Sequence, residues 1–418
     1  MILESHLPLT EIIVSADEAA VAATVRDACA ARTPVYPLGG GTRLDHGVSP
    51  VRPGIGLSLA SMHGVIDYPA ADMTITVQAG ITLAELARTL AARGQRLPVD
   101  VPQAERATVG GALATDASGP RRYAYGTLRD YVLGLRAVDG RGIAFATGGR
   151  VVKNAAGYNL GRLLIGSLGT LGIVTQTTLL VRPLPQSSAL VACDLGELPM
   201  AEALLAGLVR TQTVPTAIEL RVGPAPQASP LLGPPPAGCS IRLLVGFEGD
   251  RTEVQWMVAR LGEEWRQAGV SSLTTISGPD AEPWWTWLAD FPADLQIHTL
   301  PGNTVEMIAR LRRLLPDCCL QAHAGNGVVR AQLCPSGDGP PPVSQAADGL
   351  AALLREKLRP AVAELGGKLV VLSAHHNSGL AREDYWGLSN DALAWMRAIK
   401  DRFDPAGILN PGRFVFEN

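Results

Sequence analysis

"PLGGGTRLDHG", Pro37 to Gly47, sets the first constraint on the fold. Three consecutive glycines cost about 0.5–1 kcal/mol each in chain freedom relative to alanine. Bare backbone is therefore needed there. Spacing excludes two nucleotide-binding loops. A phosphate-binding ATPase loop requires G-x-x-x-x-G-K-[ST], and no lysine follows these glycines. A Rossmann fingerprint requires G-x-G-x-x-G, and the sixth position is Leu44. Taken alone, the run reads as a structural turn.

Two further loops change that reading. "TVGGALATDASG", residues 108–119, carries a second glycine pair among small residues, and "GSLGTLGIVT", residues 166–175, carries Gly166, Gly169 and Gly172. Successive backbone N–H groups in turns form concave anion-binding nests. Several such loops suit a long ligand with a diphosphate and flat apolar ends. That points to a dinucleotide outside the Rossmann class.

The chain has 418 residues, 47% apolar and 18% charged, with a formal charge of −3. It is long enough for two or three domains with real cores, and nothing suggests a polyanion partner. Its beginning, "MILESHLPLTEIIVSADE", is acidic where a signal peptide is basic. No apolar run reaches the ~18 residues of a membrane helix. The cytoplasm is the expected location. The six cysteines (Cys29, Cys193, Cys239, Cys318, Cys319 and Cys334) contain no C-x-x-C, so neither an iron–sulfur cluster nor a zinc ribbon is coded. They are expected to be buried, reduced thiols.

Ser15-x-x-Glu18 has the capping-box pattern and is expected to open an alanine-rich helix over about 16–31. Thr82-x-x-Glu85 opens a second helix, closed by Gly94. "YVLGLRAVDGRGIAFATGG" predicts a hairpin turning at Asp139-Gly140, and "LGIVTQTTLLV" a strand ending at Arg182-Pro183. Residues 186–335 read as repeated strand–helix–strand, with Gly/Pro-rich connectors at 223–238 and 336–342. The "WWTW" of Trp284 to Trp287 is expected in a core or interface. Toward the end come a strand, "KLVVLSA", and a helix leading into "RFDPAGILNPGRF".

"PLGGGT", "TVGGALATDASG", "YGTLRDYVLGLRAV", "VKNAAGYNLGRLLIGSLGTLGIVT" and "RFDPAGILNPGRF" occur in the order found in the vanillyl-alcohol-oxidase-like (PCMH-type) FAD family, which the chain resembles. Within that family "KNAAGYNL…GSLGTLG" looks most like the FAD-binding (E) subunits of bacterial glycolate oxidases. The resemblance implies an α+β fold: a PCMH-type FAD-binding domain of two α+β subdomains over 1–185, an antiparallel-sheet α/β cap over 186–365, and a C-terminal segment, 366–418, returning to the FAD site. It implies FAD held by Pro37, Leu38, Gly39, Gly40, Gly41 and Thr42 at the pyrophosphate. Gly110, Gly111, Thr115, Ser118 and Gly119 would line the isoalloxazine and diphosphate, with Gly169, Ile173, Val174 and Asn410 completing the set. Relatives with covalent flavin commonly place His beside the glycine loop. Thr42 stands there instead, so noncovalent FAD is expected. His46 and His63 are expected to be surface residues rather than flavin linkers.

In catalytic relatives a divalent metal is held by H-x-G-x-G-N-x-H and by the Glu of a later G-E-H-G, whose His is the base. Here "HAGNGVVR", 323–330, keeps His323 but has Arg330 at the second histidine position. "AHHNSGLAR", 374–382, puts His375 at the Glu position and His376 at the base position. A guanidinium cannot lose its proton to coordinate a metal, so no metal site is expected. Arg330 could instead bind a carboxylate directly. His376, His323 and Arg330 are the candidate catalytic residues. Leu168 stands where catalytic relatives commonly read Glu.

The resemblance thus implies an FAD-binding subunit of a glycolate oxidase (glycolate dehydrogenase) complex. It would support oxidation of glycolate, a small 2-hydroxy acid, to glyoxylate. Its partners would be a homologous catalytic flavin subunit and an iron–sulfur subunit, through which it could sit peripherally at the inner membrane face. The alternative is a self-sufficient FAD-dependent 2-hydroxy-acid dehydrogenase or oxidase.

Overall fold

The structure is a computed structural model that describes residues 7–149, 160–223, 238, 240–333, 347–373, 380–387 and 390–415. It divides into two compact units. The first comprises residues 1–118, 126–184 and 388–418; the second comprises 119–125 and 185–387. No helix among the described residues is long and apolar enough to cross a membrane.

In the first unit, strands Leu9–Val14, Gly54–Ser58 and Val35–Leu38 form a parallel sheet, with Gly54–Ser58 in the middle. A second, antiparallel sheet runs Val65–Asp67, Thr74–Gln78, Ile173–Leu180, Val132–Val138, Ala144–Gly148. The Asp139 hairpin is the last pair of that sheet. Helix Glu18–Ala31 buries Val21 and Val25 in a core shared with Ile75, Val77, Leu135 and Leu179. Its cap is Asp17, whose carboxylate accepts from the Ala20 amide at 2.8 Å, and not Ser15 as the capping-box pattern suggested. The reason is local: the Ser15 amide donates to Ser58 O at 3.0 Å, so Ser15 still belongs to the extended strand edge. Helix Leu83–Ala91 is capped as expected by Thr82, which accepts from the Glu85 amide at 3.1 Å. The C-terminal segment joins this unit by a parallel bridge between Val35 and Leu409. Buried Lys400, on helix Asn390–Phe403, fixes it with Nζ donating to Asp404 at 2.5 Å, Thr170 O at 2.8 Å and Leu409 O at 3.2 Å.

The second unit is built on one eight-stranded sheet whose adjacent strands are all antiparallel. Its order is Thr274–Ser277, Ser187–Leu195, Ile241–Gly249, Ala217–Val222, Cys319–His323, Val328–Gln332, Leu295–His298, Lys368–Val371. Lys368–Val371, grouped on sequence with the closing segment, pairs here with Leu295–His298. Helix Glu282–Ala289 carries the tryptophan run. Trp284 and Trp285 are fully buried, and the Trp285 indole donates to Ser188 Oγ at 2.8 Å. A Cβ on Gly246 would overlap the Trp285 ring, which explains that strand glycine. Helices are combined with largely antiparallel sheets, the α+β class expected from the sequence. Cys193, Cys318 and Cys319 are buried and form no disulfide, and burial pushes the Cys193 thiol up to about 12.

Candidate functional site

Strand Val35–Leu38 delivers the three glycines to the rim of a groove in the first unit. The groove holds about 720 Å³ of empty space, part of it open to solvent. Pro37, Gly39, Gly40, Gly41 and Thr42 line one side; Gly111 and Thr115, on helix Val109–Thr115, line another, and Asn410 joins them from the C-terminal segment. Eight of the proposed cofactor residues therefore meet in one place. The other seven stand apart from the groove lining. Leu38 is buried in a small cluster with Leu7 and Tyr36, and Gly110 packs on Ala79. Gly169 abuts Pro37, and Ile173 and Val174 are core residues of strand Ile173–Leu180. Ser118 is buried, and Gly119 belongs to the second unit.

The glycines are explained by approach distances. A Cβ on Gly40 would overlap the Arg106 carbonyl, and one on Gly39 would overlap Thr108 Oγ1, which caps helix Val109–Thr115 by accepting from the Gly111 amide at 3.2 Å. Gly41 has φ +68°, a conformation that glycine adopts without steric cost. Thus the loop is bare because a second loop lies against it, and its remaining side faces the groove.

Charge in the groove is one-sided. None of its lining residues is acidic, whereas Arg43 and Arg413 are both among them. Arg413 donates to Leu44 O at 2.6 Å and His46 O at 2.8 Å, and Arg106 donates to Gly40 O at 3.3 Å. Arg43 lies 3.0 Å from His46 Nε2; since arginine only donates, that nitrogen accepts and the ring is neutral. His46, expected at the surface, is half-buried in the groove wall, while His63 is exposed. The lining is otherwise apolar, with Val101, Ala112 and Leu168 prominent. An acid-free groove with guanidiniums, bare backbone and apolar walls fits a dinucleotide such as FAD. Leu168 has φ +53°, and its carbonyl accepts from Asn410 Nδ2 at 2.6 Å. Arg43 and Arg413 were not named on sequence, although both sit inside quoted stretches; Leu168 was noted there only as standing where catalytic relatives commonly read Glu.

The catalytic candidates lie in the second unit. His375 and His376 fall outside the described residues, as does the 152–159 part of the "VKNAAGYNL" run. His323 ends strand Cys319–His323 and is 1% exposed. Its Nδ1 is 2.6 Å from Glu219 Oε1, and Glu219 Oε2 accepts from Gln321 Nε2 at 2.8 Å. Burial lowers the His323 pKa, Glu219 opposes this, and the Arg330 and Arg122 charges add to the lowering. The net direction is down, so His323 is a neutral imidazole donating Nδ1–H to the carboxylate. Its Nε2 is buried without a hydrogen-bond partner.

Strand pairing extends this pair into a polar file. Asp194, Arg242, Arg221, Gln321, Arg330 and Gln296 stand directly opposite one another across six strands, so all share one face of the sheet. Arg242 forms a two-point bond to Asp194 at 2.7 and 3.0 Å. Arg221 donates to Gln321 at 2.9 Å and stacks on Trp287 and Phe291 at 4.0 and 4.7 Å. Burial brings its pKa down to about 10. Arg330 Nε donates to Gln296 Oε1 at 3.2 Å. Among the described residues no group of three or more His, Cys, Asp and Glu is placed to hold a metal. Here His323 offers one nitrogen, both Glu219 oxygens are engaged, and Arg330 adds positive charge. That donor set does not suit a divalent ion.

Comparison with known proteins agrees with the groove. Residues 10–148 match an FAD binding domain, and residues 184–414 match the C-terminal domain of FAD linked oxidases. The chain is 31% identical to a D-2-hydroxyglutarate dehydrogenase of Xanthomonas citri pv. viticola, over 95% of this chain and 87% of that one. It is 27% identical to the glycolate oxidase subunit GlcE of Escherichia coli (strain K12), over 86% of this chain and 87% of that one. Among solved structures, p-cresol methylhydroxylase with substrate bound shares the fold, with a TM-score of 0.72 at 16% identity, covering 97% of this chain and 88% of that one.

Proposed function

The chain belongs to the FAD-linked oxidase family and takes FAD as its cofactor. From that premise we propose that it is the FAD-binding subunit of a complex oxidising glycolate or a closely related 2-hydroxy acid, and that substrate oxidation takes place on a homologous partner subunit. The carrying observation is the second-unit donor set: Arg330 stands where catalytic relatives have a metal-binding histidine, and Glu219 is fully occupied by His323 and Gln321. The relative named as a glycolate oxidase subunit supports the assignment to a complex. The absence of C-x-x-C means that electrons leaving this chain require an iron–sulfur protein or another acceptor.

FAD, when bound, would supply two-electron redox chemistry, here passing on electrons taken from the substrate at the partner subunit. The chain's own part in that binding is to present the bare backbone of Gly39 to Gly41, the guanidiniums of Arg43 and Arg413, and the apolar wall around Leu168. With Thr42 after the glycines, the flavin is held noncovalently. Acid precipitation is then expected to leave all the yellow colour in the supernatant, and flavin remaining with the pellet would contradict this.

The decisive experiment is anaerobic stopped-flow mixing of the FAD-loaded single chain with glycolate and with D-lactate. The flavin band should persist over seconds. Dye reduction should appear only when the homologous flavin subunit and the iron–sulfur subunit are added. Rapid bleaching by the single chain, lost in His376→Ala or in His323→Leu, would make it a self-sufficient dehydrogenase. That second reading draws on the Glu219–His323 pair, which has the form of an oriented general base.

A further inference from the structure

We infer that the second unit binds the carboxylate and hydroxyl of a small 2-hydroxy acid without a metal: His323 Nε2 accepts from the hydroxyl, and Arg330, with Arg122, takes the carboxylate. Only the ligand class rests on the function proposed above. The case for a site rests on geometry.

A buried ring nitrogen without a partner needs an explanation, because buried polar atoms are almost always hydrogen-bonded. His323 Nε2 is such an atom. Glu219 holds the proton on Nδ1, so Nε2 presents a lone pair and requires a donor. A carboxylate cannot supply one, but a hydroxyl can. Arg330 is the diagonal neighbour of His323 across the strand pair, since Gln321 faces Arg330 and His323 faces Val328. Such neighbours stand about 7–8 Å apart, within reach of a long side chain. Arginine can only donate, and its planar fork matches a carboxylate. Hydroxyl and carboxylate sit on adjoining carbons in a 2-hydroxy acid, which matches an acceptor and a fork placed side by side.

The neighbourhood is built to hold such a ligand rather than a cation. Helix Arg122–Tyr125 packs on strand Ala217–Val222 and on the turn Ala324–Asn326, bringing Arg122 to the same corner. Both guanidiniums act electrostatically on His323 and on His298. His298 is itself engaged, with Nε2 2.9 Å from Gln296 Nε2. Gly325 must be glycine, because a Cβ there would enter the Tyr123 ring. Two guanidiniums beside a neutral imidazole, whose carboxylate partner Glu219 is already engaged by His323 and Gln321, disfavour a divalent ion and favour an anion.

The test is isothermal titration calorimetry on the FAD-loaded full chain in EDTA, with glycolate, acetate and ethylene glycol as probes. Glycolate should bind, acetate about tenfold more weakly for want of the hydroxyl, and ethylene glycol not measurably. Arg330→Gln should lower the affinity for glycolate and acetate alike, by about tenfold or more. His323→Leu should remove the difference between the two acids. Flavin content and melting temperature report whether each variant is folded, and the wild-type probe series stands without any variant. Equal binding of glycolate and acetate, binding that EDTA abolishes and Mn²⁺ or Zn²⁺ restores, or no effect of Arg330→Gln would each overturn the inference. Glycolate binding together with rapid flavin bleaching would sink only the partner-subunit proposal. An active complex whose isolated subunit binds no glycolate would sink only this one.

Discussion

The groove of the first unit and the polar file of the second are made in opposite ways. The groove is made by leaving side chains out: Gly39, Gly40 and Gly41 pass so close to Thr108 and Arg106 that only bare backbone fits. The file, with the Glu219–His323 pair beside it, is made by burying long charged side chains, Arg221, Arg242, Glu219 and Arg330, where a sheet face would otherwise be apolar. A backbone site tolerates changes in charge poorly and changes in distant side chains well. A site of buried, mutually paired side chains behaves the other way round, because removing one member strands the others.

The largest expected effect is in the groove. Gly40→Asp should abolish flavin binding, and its Cβ would also displace the Arg106 backbone, so the melting temperature should fall as well. Gly111→Asp separates these causes. A Cβ at Gly111 meets only Thr108 Oγ1, at 3.2 Å, and the position is exposed on the groove wall. The carboxylate then faces the cofactor's phosphates in a groove that has no acidic residue of its own. Flavin should be lost while the fold survives, read as flavin absorbance per protein and as circular dichroism. Full flavin occupancy in Gly111→Asp would show that the groove is not the cofactor site and would break the comparison.

The same contrast explains what the sequence disclosed. Glycine is informative because few other residues can replace it, so the first two glycine-bearing loops could be singled out without any knowledge of pairing, whereas the glycines of the third stand outside the groove lining. Thr82 as a cap and Trp284–Trp285 as core were legible for similar reasons, each resting on local spacing or bulk. Ser15 was misread because its pattern is local while its amide is claimed by Ser58. Arg413 reaches the carbonyls of Leu44 and His46 across more than 360 positions, and no short-range pattern carries that. The polar file was hidden more deeply. Its six residues come from six strands between Asp194 and Arg330, and each looks alone like an exposed charge or amide. Only the register of the antiparallel sheet brings them into line.

A middle-sized effect should come from the file. Glu219→Leu removes the acceptor of both His323 Nδ1–H and Gln321 Nε2–H and leaves Arg221 beside Arg242 with less compensation. Breaking a buried charged network typically costs about 3–5 kcal/mol. Six of the seven tryptophans lie in the second unit, so their fluorescence follows its urea unfolding while flavin release follows the first. The tryptophan transition should move to lower urea by the equivalent of about 3 kcal/mol, with the flavin transition less affected. A shift below about 1 kcal/mol, the value of an ordinary hydrogen bond, would mean that the file is not a coupled network.

The smallest effect tests whether charge matters to the stability of the first unit. Glu18, in the first turn of helix Glu18–Ala31, bonds Thr175 Oγ1 at 2.7 Å and pairs with Arg136 on the neighbouring sheet. Burial alone would raise its pKa, but the hydrogen bonds from Arg136 and Thr175 and the Arg136 charge outweigh that, and the net shift is downward. A carboxyl whose folded pKa lies below its unfolded value stabilises the fold above the unfolded value of about 4.3. That contribution is lost as pH falls through the lowered folded value. Arg136 is 46% exposed, so solvent screens the pair and its worth stays at roughly 0.5–1 kcal/mol. Glu18→Gln should therefore lower stability at pH 7 by about that amount, and the wild-type and variant curves should converge once pH falls below the lowered folded value. A loss as large as that of Glu219→Leu, persisting at pH 3, would show that the first unit also depends on a buried charge network, and the distinction between the two regions would fail.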